Sequence, residues 1–371
     1  MSGLEPLLAW LRTGTTAGER LDFPTGTALP DGRLDLCKQA LGPDGAAQVA
    51  QALRPGVVKH LLLGTDGLGD GAAEVAGEAV EREVETLYLG CNGITAGGVC
   101  RIADNLRMSP QASKVTGIWL KRNPVGDGEA AAGLIESARS LRTLDLVQTG
   151  LDATGVEAVV SAVLTATTAG RRIERLYLGG NPLGPAGATH LAALLAADAV
   201  SELYVSAAQL GDEGANTIAD ALVTGRLRRI SVASNGIGPQ AAARLVTAAA
   251  RAGAEVCDLG RVKAAGVLGA EENRLDEASA TAIAQVLAER PHRLRHLVLS
   301  NTGLGSRAAH RLLDGAQRAA TPTRFVLGKG VAGSIRRRLD ALSAAIPAQP
   351  PVHADVTAIQ SVHRQPPPEV R

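Results

Sequence analysis

Five residues of this chain have side chains suited to holding a cationic group: Tyr88, Trp119, Asp145, Tyr177 and Tyr204. Aromatic faces attract ammonium and guanidinium groups through the ring quadrupole, and a carboxylate among them adds charge attraction. All three tyrosines and one of the two tryptophans fall in this set, although aromatic residues make up only 2% of the 371 positions. Other residue types invite enzyme chemistry. Asp35, Asp145 and Asp258 are candidate paired carboxylates, His60, His292 and His296 candidate bases or metal ligands, and Cys91 a candidate nucleophile. Which of these can meet depends on the elements that carry them.

Every member of the aromatic set stands in a copy of one motif, LxLxxNxL. The copies are LDLCKQAL from Leu34, LLLGTDGL from Leu61, LYLGCNGI from Leu87, IWLKRNPV from Ile118, LDLVQTGL from Leu144, LYLGGNPL from Leu176, LYVSAAQL from Leu203 and ISVASNGI from Ile230. A degenerate CDLG from Cys257, LVLSNTGL from Leu297 and FVLGKGVA from Phe325 complete the series, with successive starts 27, 26, 31, 26, 32, 27, 27, 27, 40 and 28 residues apart. Such a period signals a repeat array rather than separate globular domains.

In LxL the outer residues share one face of a strand and the middle residue points the other way. After a short loop the period changes: in LGPAGATHLAALL, Ala188, Leu191 and Leu195 recur at helical spacing, and Pro185 suits a first helical turn. Each repeat therefore reads as strand, turn and returning helix. A small residue stands four places after the motif in nearly every copy (Gly45, Ala72, Gly98, Gly155, Gly187, Gly214, Ala241, Ser279, Ala308), which implies close approach of helix and strand there. Glu129, one place after Gly128, breaks the series through a one-residue loop change.

The pattern resembles the leucine-rich repeat family, and the long repeat with a full helix is similar to its ribonuclease-inhibitor-like class. The resemblance covers roughly Leu34 to Leu342. It implies an α/β leucine-rich repeat solenoid, a horseshoe with a concave parallel sheet and an outer row of helices. It also implies a role in binding other proteins through the inner surface. The family's turn-tying asparagine is matched by Asn92, Asn123, Asn181 and Asn235, whereas Gln39, Asp66, Thr149, Ala208 and Thr302 depart from it and leave those turns less tightly tied.

The middle residues project onto the concave face in the order Asp35, Leu62, Tyr88, Trp119, Asp145, Tyr177, Tyr204, Ser231, Asp258, Val298 and Val326. At roughly 4.8 Å per strand, the five central positions form a stripe about 20 Å long with Asp145 at its middle. Lys121, Arg122, Gln148, Arg175 and Glu202 stand in adjacent columns as a polar rim. The competing structural reading is that tyrosine favours strands and fills the groove. The same register separates the three aspartates by roughly 20 Å, against the 5 to 9.5 Å that paired carboxylates need. His60 and His296 fall eight repeats apart, His292 and His296 precede a strand, and no histidine stands in register to activate Cys91.

No catalytic residue, metal or cofactor is therefore expected. The expected function is a non-catalytic protein- or peptide-binding scaffold whose partner carries a cationic group. The alternatives are an accessory subunit that presents substrate to a separate enzyme and a single-stranded nucleic-acid binder, the latter disfavoured by a net charge of +1 and by Asp145. The sequence divides into an N-terminal cap over 1–33, about eleven repeats over 34–346 with an insertion near 260–275, and a Pro-rich tail over 347–371 expected to be disordered and dispensable for folding. No leader or long apolar run stands out, and no CxxC pair occurs among four cysteines, so a cytoplasmic protein without membrane contact is expected. Arginine outnumbers lysine 32 to 6, which points to a bacterial, GC-rich source.

Overall fold

The structure, a computed structural model, describes residues 3–363. The aliphatic outer residues of the LxL copies from Leu34 to Leu299 are buried, which fixes the middle residue on the opposite, helix-free face. The chain forms two units. One comprises residues 1–150, 168–172 and 352–371, the other 151–167 and 173–351.

The first unit opens with α1 (Glu5–Thr13), which buries Leu7, Leu8 and Leu11, followed by β1 (Leu21–Phe23) and β2 (Gly26–Ala28). These strands run antiparallel to each other, and β2 runs antiparallel to β3 (Arg33–Asp35), so a hairpin covers the edge of the parallel array. Then follow α2 (Gly42–Ala52), β4 (His60–Leu62), α3 (Ala72–Glu81), β5 (Thr86–Tyr88), α4 (Ala96–Met108), β6 (Gly117–Trp119), α5 (Gly128–Ser137) and β7 (Thr143–Asp145). The strands from β3 onward are parallel and pair Leu34 with Leu61, Leu61 with Leu87, Leu87 with Ile118 and Ile118 with Leu144, the register of the aligned motifs.

In the second unit, α6 (Ala153–Thr168) precedes β8 (Arg175–Tyr177), α7 (Gly184–Ala196), β9 (Glu202–Tyr204), α8 (Gly211–Ala221), β10 (Arg229–Ser231) and α9 (Pro239–Ala252). β11 (Val256–Asp258), α10 (Glu277–Glu289), β12 (His296–Leu299), α11 (Ser306–Arg318), β13 (Arg324–Leu327) and α12 (Gly333–Leu342) follow. Parallel pairing aligns Leu176, Leu203, Ile230, Cys257, Leu297 and Phe325, so the insertion leaves the strand register intact. A last short helix, α13 (Ala354–Thr357), belongs to the first unit.

The turn asparagines are buried and satisfy main-chain groups that would otherwise lose water without compensation. Asn92 Oδ1 accepts the Asp66 N–H at 2.9 Å, and its Nδ2 donates to the carbonyls of Leu63 at 2.7 Å and Leu89 at 3.0 Å. Asn123 does the same one repeat on, accepting the Asn92 N–H at 2.9 Å. The insertion hides a further member: Asn273 accepts the N–H groups of Asn235 and Ile237, each at 3.0 Å, and donates to the carbonyls of Val232 and Leu259, each at 2.9 Å. The repeat thus resumes at NRL, and the extra residues lie before it, closed by Arg261 on Glu272 at 2.9 Å and by the buried Ala265. At two departures from asparagine the hydroxyl substitutes in part, Thr149 donating to Leu146 O at 2.8 Å and Thr302 to Leu299 O at 2.9 Å. The column of small residues has a more local cause than the expected contact with the strand. A Cβ on Gly187 would lie 2.6 Å from Cβ of Leu183, the last motif residue, as the helix begins.

Candidate functional site

In the first unit β5, β6 and β7 place Tyr88, Trp119 and Asp145 side by side on the helix-free face, as their register requires. The sequence reading expects these aromatics to be exposed. They are not: Tyr88 is 4% and Trp119 2% accessible. Below them, glycines make room for the rings, since a Cβ on Gly117 would lie 2.2 Å from the Trp119 ring and one on Gly64 2.5 Å from the Tyr88 ring. Above them lies Ile359, which completes a buried cluster with Cys37, Leu62, Tyr88 and Trp119. Lys121 Nζ stands 5.4 Å from the Tyr88 ring centre, and Arg122 Nε donates to Gln148 Oε1 at 3.0 Å, so these rim residues lie in adjacent columns as aligned.

Ile359 belongs to the tail, whose residues up to His363 are placed against the repeats instead of being left free as the sequence reading expects; residues 364–371 lie outside the described residues. Asp35, wholly buried, accepts the Ser361 hydroxyl at 3.1 Å and the Val362 N–H at 2.5 Å, and Arg33 donates to the Gln360 carbonyl. Burial, with the Asp35 charge second, pushes the Cys37 thiol up to about 12.

The aspartates recurring in the middle column have a shared structural use. Each turns back on the main chain two residues on: Asp35 to the Cys37 N–H at 3.1 Å, Asp145 to that of Val147 at 2.9 Å and Asp258 to that of Gly260 at 2.8 Å. Short carboxylates close such turns where a strand ends. Asp258 also accepts the Ser231 hydroxyl at 3.0 Å, and burial raises its carboxyl above the ordinary range despite these bonds.

In the second unit Tyr177 and Tyr204 are stacked, with ring centres 4.2 Å apart and planes 9° from parallel, and both remain half-exposed. The Tyr204 hydroxyl donates to Glu202 Oε2 at 2.6 Å and accepts from Arg229 Nη1 at 3.0 Å. Burial first, then Tyr177 and Glu202, push that hydroxyl far above its usual range, so it stays protonated. Arg175, expected in the polar rim, is buried at 2% accessibility, with Nη1 3.2 Å from Glu174 Oε2. Strand alternation puts Arg175 on the same face as the half-exposed Tyr177, two residues on.

That relation defines a column two residues before each middle position, of which the sequence reading assigns Arg175 and Glu202 alone to the polar rim. It contains Arg229, His296 and Arg324, and all three hold main-chain carbonyls of one stretch. Arg229 Nη2 donates to Pro351 O at 2.8 Å, His296 Nε2 lies 2.8 Å from Pro347 O, and Arg324 Nη1 donates to Ile346 O at 3.3 Å. Burial lowers the affinity of the His296 ring for a second proton. His292 has a different place, in the wall of a cavity of about 320 Å³ with Arg251, Glu289 and Arg290. Among the described residues no cluster of three or more metal-ligating side chains occurs, and no helix is long and apolar enough to cross a membrane.

The strand register and the buried asparagine ladder make the fold an α/β solenoid of the leucine-rich repeat kind. No family model and no curated protein matches the chain. Among solved structures, it is similar to the leucine-rich repeat-containing protein LegL7 from Legionella pneumophila, at 14% identity and a TM-score of 0.47 over 84% of this chain and 89% of that one. The complex of Rad7 and Elc1 in yeast matches at 12% identity and a TM-score of 0.44 over 78% and 72%. An internalin from Listeria monocytogenes matches at 12% identity and a TM-score of 0.41 over 92% of both chains.

Proposed function

We propose that this chain is a non-catalytic binding module that holds a protein or peptide segment on the helix-free, concave face of its repeats. The observation that carries this reading is the column Arg229, His296 and Arg324, whose side chains meet the carbonyls of Pro351, Pro347 and Ile346 in one proline-containing stretch outside helix and strand. Main-chain carbonyls outside helix and strand are available to such donors, as in other recognition of proline-rich chains. Tyr177, Tyr204 and Glu202 add a rigid aromatic anchor beside these donors. The buried Arg175 belongs to this second-unit site. The first unit offers a site of its own, Lys121, Arg122 and Gln148 beside Tyr88 and Trp119, which Ile359 covers in this structure, with Asp145 supplying negative charge for a cationic group on a partner.

The long repeats with a full helix support a ribonuclease-inhibitor-like class. Four free thiols, Cys37, Cys91, Cys100 and Cys257, support a reducing, cytoplasmic setting, and the excess of arginine over lysine supports a bacterial source.

The test is affinity for a partner captured by the full chain and identified by mass spectrometry. Tyr177→Ala is expected to weaken binding by about 2 kcal/mol, roughly thirtyfold, without lowering the melting temperature of the repeats. Asp145→Asn should weaken it at low salt and much less at high salt. Tighter binding by Asp145→Asn would instead favour a nucleic-acid partner, since a carboxylate repels phosphates. Unchanged affinity in both variants would refute the proposed surface.

A further inference from the structure

We infer that residues 352–363 are a tethered occupant of the binding face of the first unit, a segment of the chain itself that an outside partner must displace. The inference rests on the binding function proposed above and names the kind of ligand that the face takes. Three features carry it. Ile359 inserts its aliphatic side chain among Cys37, in the turn after β3, and Leu62, Tyr88 and Trp119, at middle strand positions that in a bare repeat array would face water. The main chain beside it is read from both sides, with Arg33 on the Gln360 carbonyl and Asp35 on the Val362 N–H and the Ser361 hydroxyl. Val352 and Val362, by contrast, remain exposed, so the apolar part of the attachment is confined to Ala358 and Ile359, joined by a few polar bonds.

A segment so held is poised to leave. Its only helix, α13, has four residues, too short to be stable without docking, so its order comes from the surface beneath it. Ordering about a dozen residues opposes the gain from burying Ala358 and Ile359 and from the polar bonds beside them. Tethering nevertheless keeps the segment at high local concentration, and a partner's apparent affinity falls in proportion to the fraction of open face. The ligand this face fits is therefore a short peptide with an aliphatic anchor on a helical turn, a carbonyl next to it for Arg33 and a following N–H for Asp35.

Cys37 reports the state of the face, because its thiol lies under Ile359 whereas Cys100 is exposed and Cys257 is buried in the second unit. Thiol labelling of the full chain, followed residue by residue by mass spectrometry, is expected to show Cys37 reacting far more slowly than Cys100. Ile359→Asp should raise the Cys37 rate at least tenfold and leave Cys257 protected, which controls for unfolding. Val362→Pro deletes the N–H that Asp35 accepts and touches only the exposed end of the segment, so it should raise the rate about threefold. A synthetic peptide of residues 352–363 added to the Ile359→Asp chain should restore protection saturably, and the same peptide with the Ile359→Asp change should not. Rapid labelling of Cys37 in the unaltered chain, continued protection in both variants, or failure of the peptide to protect would each overturn the inference. None of those outcomes touches the affinities of the Tyr177 and Asp145 variants, so the two readings fail separately.

Discussion

Replacing Asp66 with asparagine restores the ladder residue to the second repeat and should stabilise the protein in a pH-dependent way. Asp66 is 2% accessible; its Oδ1 accepts the Gln39 N–H at 2.9 Å, and its Oδ2 has no partner among the described residues. Burial pushes its carboxyl from 3.8 up to about 7, the backbone bonds from Gln39, Leu41 and Ala40 offsetting only part of the cost. A displacement of roughly 3 pK units corresponds to about 4 kcal/mol at 1.36 kcal/mol per unit, an upper bound that relaxation and water entry should reduce to about 2 kcal/mol. The folded state holds the proton more tightly than the unfolded state. Stability contributed by this group is therefore greatest below about pH 4, falls as pH rises through about 7, and is flat above that. An asparagine removes the ionisation, and its Nδ2 would face the carbonyls of Leu36 and Leu63, as that of Asn92 faces Leu63 and Leu89. A shared acceptor is no obstacle, since Leu89 O already accepts from both Asn92 and Asn123, each at 3.0 Å. Urea unfolding of both chains at pH 4 and pH 8 is the assay. The Asp66→Asn chain should gain about 2 kcal/mol at pH 8 and much less at pH 4. An equal difference at the two pH values, or a loss at pH 8, would refute the assignment of the burden to a buried carboxylate.

Two further predictions concern residues that hold the face and the ladder. Gly117→Ala puts a methyl where the Trp119 ring lies 2.2 Å away, so it should cost about 1 to 3 kcal/mol and shift tryptophan emission to longer wavelength. An unchanged spectrum would show that the ring has other room. Asn273→Ala strands the N–H groups of Asn235 and Ile237 and the carbonyls of Val232 and Leu259, and should cost about 3 kcal/mol in urea unfolding. A loss under 1 kcal/mol would show that water replaces the amide.

The strand positions and their register were legible in the sequence because they depend on local periodicity. LxL alternation decides which residue faces the helix, and even the degenerate CDLG pairs where the repeat count puts it. The ladder was legible at Asn92, Asn123, Asn181 and Asn235 but not at Asn273, since the alignment counted forward from Cys257 and the extra residues intervene before the asparagine. The triplet NRL, matching NPL at Asn181, was the available signal. The column of Arg229, His296 and Arg324 was also within reach, because it obeys the same alternation as the middle column.

What only the tertiary structure decided is the occupation of the face. Composition made the tail look unable to order itself, and a four-residue helix between prolines agrees with that. Its place depends on contacts with residues far away in sequence, such as Asp35 with Val362 and Leu62 among the neighbours of Ile359. No local period encodes such contacts, because they require that strands far apart in sequence first assemble one continuous apolar niche. The same assembly determines whether Trp119 meets solvent or Ile359, and whether Asp35 is an open carboxylate or an acceptor for a main chain that returns to it.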